Sequence, residues 1–276
     1  MHDFLQKKFT TGQFATLYDV NKRTLMYYDS IDLFKPAIVK KNGYRYYTYG
    51  QSGVFDAIQL LRKLRVPLEE IKKHLVHCTS QKTQTLLYNQ SQMLEQEIAE
   101  LIWLQRVVQN KISNMEANLE MDCSKIEIIE LKAQAIVVSE STAEMSMEET
   151  MKVMLKFMRD CYHTRNYCGY PLGYMMDTDK VLQGDFCQLT NCFYRIDEKN
   201  SKAINWTFKP AGRYLVSYYK GSWAEMDPTL QQLADYANHH GLTFIGHAYL
   251  ESILDDTTAV VEDPYYCEAK ISILLK

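Results

Sequence analysis

The spacing of apolar and polar residues changes character three times along this chain of 276 residues. In the stretch TTGQFATLYDVNKRTLMYYD, Thr11 is placed to cap a short helix running through Phe14, Ala15 and Tyr18. Asp19 to Asn21 reads as a tight turn, and a second helix follows from about Lys22 to Asp29. Two short helices so closely joined make a minimal helix-turn-helix pattern. Pro36 ends the helical region, and PAIVKKNGYRYYTY alternates about Asn42-Gly43, a strong hairpin turn. A helix with Val54, Ile58 and Leu61 on one side is predicted from Gln51 to Leu64. Val66-Pro67 breaks it, and Glu69 and Glu70 then occupy the first turn of another short helix, where acidic groups suit the positive end of the dipole. Residues 1–78 therefore read as a winged helix-turn-helix unit.

Residues 79–120 contain no glycine or proline. Leu94, Leu101, Val108 and Met115 recur every seven residues, and Ile98, Gln105, Ile112 and Leu119 form the interleaved series. A seam repeating every 3.5 residues predicts a coiled-coil dimerisation helix. A long helix buried against its own domain is the alternative, and the seam does not choose between parallel and antiparallel pairing.

From residue 124 to 276 the order of elements repeats. KIEIIELKAQAIVVSES, a helix around Met147 to Tyr162, GYPLGYMMD and DFCQLTNCFYRI are followed by INWTFKPAGRYLVSYYKGS, a helix around Trp223 to His239, GLTFIGHAYLESIL and YYCEAKISILL. Each half reads β-α-β-β and is too small for a core of its own. The two are expected to join into one antiparallel sheet with two helices on one face. The fold class expected for the whole chain is α+β.

Charge separates these parts. Residues 1–78 hold 13 Lys and Arg against 7 Asp and Glu, whereas the remainder holds 18 against 27. A basic head suits a polyanion, and an acidic body does not. No apolar run reaches membrane-spanning length, the N-terminus lacks the apolar core of a signal peptide, and the seven cysteines show no C-x-x-C spacing. A cytoplasmic protein without a cofactor and without a membrane partner is expected.

The head's basic residues sit where duplex DNA would meet them. Asn21, Lys22, Arg23 and Thr24 open the second helix, the end that meets base edges when a recognition helix enters the major groove. Of Tyr27 and Tyr28, one is expected to pack on Phe14 and Leu33 and the other to offer its hydroxyl to a phosphate. The hairpin brings Lys40, Lys41 and Arg45, with Tyr46 and Tyr47 facing opposite ways. Arg62 and Lys63, with Arg65, end the third helix as a further phosphate patch. The competing reading is a solvated basic face over core tyrosines.

TGQFATLYDVNKRTLMYYD, IDLFKP and GYRYY, in that order over residues 9 to 75, resemble the N-terminal domain of the MerR family of transcription regulators, in its multidrug-responsive branch. The duplicated C-terminal segment is similar to GyrI-like effector-binding domains. The resemblance implies a homodimer paired through antiparallel long helices, palindromic promoter DNA as partner, and a C-terminal domain that captures a drug or metabolite. It also implies activation by bending and untwisting a promoter spacer so that RNA polymerase can engage both promoter elements. Tyr27, Arg23, Lys41 and Arg45 are then DNA-facing residues. Met26 departs from the family's usual arginine, which puts one DNA contact in doubt.

In the C-terminal segment, Glu251 is the candidate to meet a small lipophilic cation, as a buried glutamate does in multidrug-binding members of that family. Tyr249, Trp206, Tyr214, Tyr218 and Trp223 are the expected aromatic lining, with Tyr170, Tyr174 and Met176 on the opposite wall. Glu251 as a rim residue over an ordinary aromatic core is the bland alternative. Two further functions stay open: metal or redox sensing through Cys78 and Cys123, and hydrolysis of the ligand by Glu251 with a nearby tyrosine.

Overall fold

The computed structural model describes residues 7–118, 122–186, 189–196, 205–253 and 266–276. They form two compact units, residues 1–98 and 99–276, and one long helix crosses the boundary.

The first unit begins with β1 (Lys8–Thr10) and α1 (Thr11–Leu17). Thr10, one residue earlier than the sequence suggests, caps α1, and Gln13 reaches back to the Thr10 backbone to complete a capping box. Asp19 takes a left-handed φ of 50° at the turn, and Asn21 Oδ1 accepts from Arg23 N at 2.9 Å to start α2 (Lys22–Ser30). The hairpin β2 (Ile38–Val39) and β3 (Arg45–Thr48) turns at Gly43, whose φ of 81° suits glycine. β1 pairs with the other side of β3, a third strand that the short KFT segment did not reveal.

Helix α3 (Ser52–Lys63) buries Ile58 and Leu61 as expected, with Phe55 in place of the exposed Val54 completing its inner face. Phe55 is the hub. Its ring lies 4.7 to 6.4 Å from those of Tyr18, Phe34, Phe14 and Tyr28. α4 (Leu68–Val76) follows with Glu69 and Glu70 in its first turn. α5 (Ser80–Ala117) then runs for 38 residues without interruption.

The second unit holds β4 (Ile126–Leu131), β5 (Gln134–Val138), α6 (Met147–His163), β6 (Gly173–Asp177), α7 (Thr178–Leu182) and β7 (Leu189–Arg195). β8 (Trp206–Lys209), β9 (Gly212–Ser222), α8 (Asp227–His239), β10 (Phe244–Ser252) and β11 (Tyr266–Leu275) complete it. All eight strands form one antiparallel sheet in the order β4-β9-β11-β10-β6-β7-β5-β8. Each half contributes four strands rather than the expected three, because its first expected strand is broken into two, β4 and β5 or β8 and β9. Read from either end, the order exchanges the two halves, so the duplication itself is borne out in topology. The halves also trade edges: β4 pairs with β9, and β8 with β5.

Alternation divides the sheet into two faces. On one, Leu215, Ala248, Leu250, Ile271 and Ile273 pack under Leu230, Leu233 and Ala237 of α8. On the same side, Ala135, Val137 and Tyr194 pack with Cys161 of α6. The opposite face carries Ile136, Met175, Phe193, Tyr214, Val216 and Tyr249. On α5, Trp103 and Val107 are buried, and Trp103 Nε1 donates to Tyr167 O at 2.8 Å.

Replacing Phe55 by Ala removes the hub of the first unit's aromatic core, and a loss of about 3–5 kcal/mol is expected. Hydrogen exchange along the full chain tests this: amides of α1 to α4 should lose protection before those of the large sheet.

Candidate functional sites

The first site lies on the N-terminal unit. Lys22 and Met26 of α2 and residues 42–45 at the hairpin tip line one cleft of about 580 Å³ with the start of α1. The Lys22 side chain lies over Gly12, where a Cβ would meet Lys22 Cε at 2.6 Å and push that flexible chain aside. The hairpin is bolted to α2 by Arg45, whose Nε donates to Asp29 Oδ2 at 2.7 Å. Asn21, Lys22 and Arg23 are exposed and Thr24 is half-buried at the start of α2, while Lys40 and Lys41 are exposed on the wing. The Lys40 ammonium lies 4.8 Å from the Tyr46 ring.

The two tyrosine pairs divide as alternation and helical period require. Tyr27 is 53% exposed and Tyr28 1%. Of the two candidates for a DNA contact, Tyr28 is therefore the one that packs in the core, its hydroxyl accepting from Arg62 Nη1 at 3.0 Å. Tyr47 is buried, and Tyr46 is partly open. Arg62 and Lys63 are exposed at the end of α3, and Arg65 pairs with Glu97 of α5 at 2.7 Å. Met26, where the resembling family has arginine, is exposed in the cleft.

Cys78 and Cys123 are exposed thiols. Cys78 Sγ lies 3.4 Å from Thr83 Oγ1, and burial followed by the charge of Glu268 pushes the Cys123 thiol up, away from the reactive thiolate. Among the described residues no group of three or more His, Cys, Asp or Glu is placed to hold a metal ion.

The second site is a cavity of about 360 Å³ on the face of the large sheet opposite α6 and α8. Its floor follows from register. Tyr218, Lys270, Glu251, Gly173 and Phe193 lie side by side across β9, β11, β10, β6 and β7. A Cβ at position 173 would strike the Phe193 ring at 2.4 Å, so glycine lets that ring fold down beside Glu251. Asn114 of α5, Gln134 and Tyr170 stand at the walls.

Glu251 is not waiting for a charge. Lys209, only 5% exposed in its side chain, donates from Nζ to Glu251 Oε2 at 2.6 Å and to Ser272 Oγ at 2.8 Å. The same ammonium lies 4.8 and 5.3 Å from the rings of Tyr249 and Tyr214. Burial opposes the Glu251 charge, but the charges of Lys209, Arg195 and Lys270 and the Lys209 hydrogen bond outweigh it and hold the carboxyl below its ordinary 4.5. Burial lowers the Lys270 ammonium, and the Glu251 charge offsets this only in part. Burial, then the Glu251 charge, push the Tyr249 phenol up to about 12, so it remains a neutral ring.

Of the residues expected to line a ligand site, Glu251, Tyr170 and Tyr218 meet at this cavity. Tyr214 and Tyr249 lie beneath it as buried partners of Lys209. Tyr174, Met176 and Trp223 are corrected: they belong to the core on the α8 side, with Tyr174 against Trp223 at 5.0 Å. In β6 the cavity side belongs to Gly173 and Met175, and a choice one residue off reverses the face. Trp206 stands 41% exposed on edge strand β8, against Phe208. Sequence reasoning missed Lys209, Arg195 and Lys270. Their signal was a basic residue at inward positions of otherwise apolar strands, as in EAKISILL.

A helix-turn-helix head with a wing, followed along the chain by an α+β unit with a cavity, is the layout of a one-component transcriptional regulator. A family model described as MerR HTH family regulatory protein matches residues 9–77. The chain is 31% identical to the Multidrug-efflux transporter 2 regulator of Bacillus subtilis, over 100% of this chain and 99% of that protein. It is 25% identical to the Multidrug-efflux transporter 1 regulator of the same organism, over 96% and 98% of the two chains. The cryo-EM structure of an EcmrR–DNA complex aligns over 97% of this chain and 99% of that one, with 16% identity and a TM-score of 0.42. The chain belongs to the MerR family of helix-turn-helix regulatory proteins, and is a DNA-binding transcriptional regulator of that type. Among its described residues no helix is long and apolar enough to cross a membrane.

Two predictions follow from the ion pair. Lys209→Met leaves the Glu251 carboxylate buried without its ammonium, and a loss of about 3–5 kcal/mol is expected, much of it recovered in the Lys209→Met/Glu251→Gln double variant. Because the folded carboxyl sits below 4.5, its contribution is present above that pH and is lost as pH falls through the folded value. Urea unfolding between neutral and acid pH should show this decline in the native chain and a shallower one in Glu251→Gln.

Proposed function

We propose that this regulator acts as a homodimer on promoter DNA and that a small molecule in the cavity of the second unit switches its output. Each copy places the start of α2 in a major groove through Asn21, Lys22, Arg23 and Thr24, with Tyr27 on a phosphate. The wing lies along the backbone through Lys40, Lys41 and Arg45, and Arg62 and Lys63 extend the phosphate contacts. The observation that carries the reading is the shared cleft of Lys22, Met26 and residues 42–45, which puts helix start and wing tip on one side of the unit. Arg45 holds that arrangement through Asp29, so its remaining donors approach DNA already positioned.

A second copy is the occupant of the apolar stripe on α5. Ile98, Leu101, Val108 and Ile112 are each at least half exposed at coiled-coil spacing, while Trp103 and Val107 point elsewhere and are buried. Leu119, the last position of the expected seam, lies outside the described residues. Antiparallel pairing of two such helices would hold two heads at a fixed separation, as half-sites one helical turn apart require. Ligand binding then favours one dimer geometry, which bends and untwists the promoter spacer and brings its elements into line for RNA polymerase. Two of the whole-length relatives are named as regulators of multidrug-efflux transporters, which supports a small-molecule effector.

Fluorescence anisotropy on duplex promoter DNA tests the head. Affinity should fall steeply between about 50 and 200 mM salt, and Lys41→Ala should reduce the slope of log K against log salt by about 1. A salt-independent signal would end the DNA reading. Light scattering tests the dimer: Leu101→Asp with Val108→Asp should halve the molar mass and abolish high-affinity DNA binding. A native chain that runs as a monomer defeats the paired-helix proposal.

A further inference from the structure

The charges at the cavity point away from a lipophilic cation. Lys132, Arg195, Lys209 and Lys270 line it, and Glu251 is the one acidic residue among the described lining residues. Glu251 is already joined to Lys209 at 2.6 Å, and its other oxygen lies 4.0 Å from Arg195 Nε, too far for a hydrogen bond. Arg195 Nε is buried without a hydrogen-bond partner among the described residues. The Arg195 guanidinium stacks 4.4 Å from the Tyr170 ring, which fixes its plane at the cavity wall. Lys270 sits directly across from Glu251 on the neighbouring strand. The carboxylates of Asp122 and Glu127 border an adjoining, smaller hollow of about 220 Å³ that shares Ala117, Asn118 and Tyr218 with this cavity, and there Lys125 lies 3.2 Å from Asp122.

A cation entering here would compete with a hydrogen-bonded, nearly enclosed ammonium for Glu251 and would face three further like charges. An anion meets the reverse: an unspent N–H on a planar guanidinium and the ammonium of Lys270, with aromatic surface from Tyr218 and Phe193 beside them. We propose that the cavity selects an organic anion, a carboxylate or sulfonate on an aromatic body, with Arg195 and Lys270 receiving the acid group. Lys209 serves as the built-in counter-ion that spends the charge of Glu251 before any ligand arrives. This inference rests on the assignment of the cavity as the effector site, and the test separates the two.

Isothermal titration calorimetry on the full-length protein compares 2-naphthoate with 2-naphthyltrimethylammonium, the same ring system carrying opposite charges. Naphthoate should bind about tenfold or more tightly than the cation, and Arg195→Gln should weaken it by about tenfold. Glu251→Gln, nearly isosteric, should tighten naphthoate, and thermal melts confirm that each variant is folded. Lys209→Met, which releases Glu251, should raise affinity for the cation. Tighter binding of the cation to the native chain, binding of neither probe up to millimolar concentration, or indifference of naphthoate to Arg195→Gln each overturns the proposal. Naphthoate that binds as predicted but leaves transcription from the target promoter unchanged upholds the charge selection and removes the cavity's effector role. A cation that binds more tightly and alters transcription does the opposite.

Discussion

A buried ammonium bonded to a buried carboxylate organises the second unit. Lys209 reaches from the end of β8 to Glu251 on β10 and Ser272 on β11, and two tyrosine rings enclose its charge. Such a pair costs desolvation on both sides, and its geometry has to be good to offset that cost. The surrounding strands supply that geometry: Glu251 and Lys270 are in register, Gly173 makes room for Phe193, and Tyr214 is anchored to Pro210 O at 2.8 Å. The cavity is the space left above this pair.

The head was legible because each of its signals is local. Asn21 before a short helix, Asn42-Gly43 between alternating residues, and Pro67 after a helix act within a few residues of themselves, and the helices and hairpin lie close to where they were expected. The misplacements are small and physical. Phe55 outranks Val54 because a large ring fills the centre of a small aromatic core, and β1 is too short to display alternation. The duplication was legible in the order of elements, while the exchange of edge strands was not, since strand partners far apart in sequence leave no periodic trace.

The cavity was the least legible part. Aromatic residues mark cores as readily as ligand sites, and Tyr174 and Trp223 proved to be core. Glu251 stood out as an acid among apolar neighbours, but its partner Lys209 is 42 residues away in sequence, and only the sheet brings them together. A charge read alone suggests a ligand of opposite sign, whereas read with its partner it does not. The same lesson holds for Arg45, whose contact with Asp29 bridges wing and helix, and for Arg62, which supports Tyr28.

The trading of edges between the halves has a mechanical consequence. β4, the first strand after α5, is zipped to β9 of the second half, and β8 to β5 of the first. Neither half can peel away without breaking a ladder that belongs to the other, so the sheet resists shear as one plate.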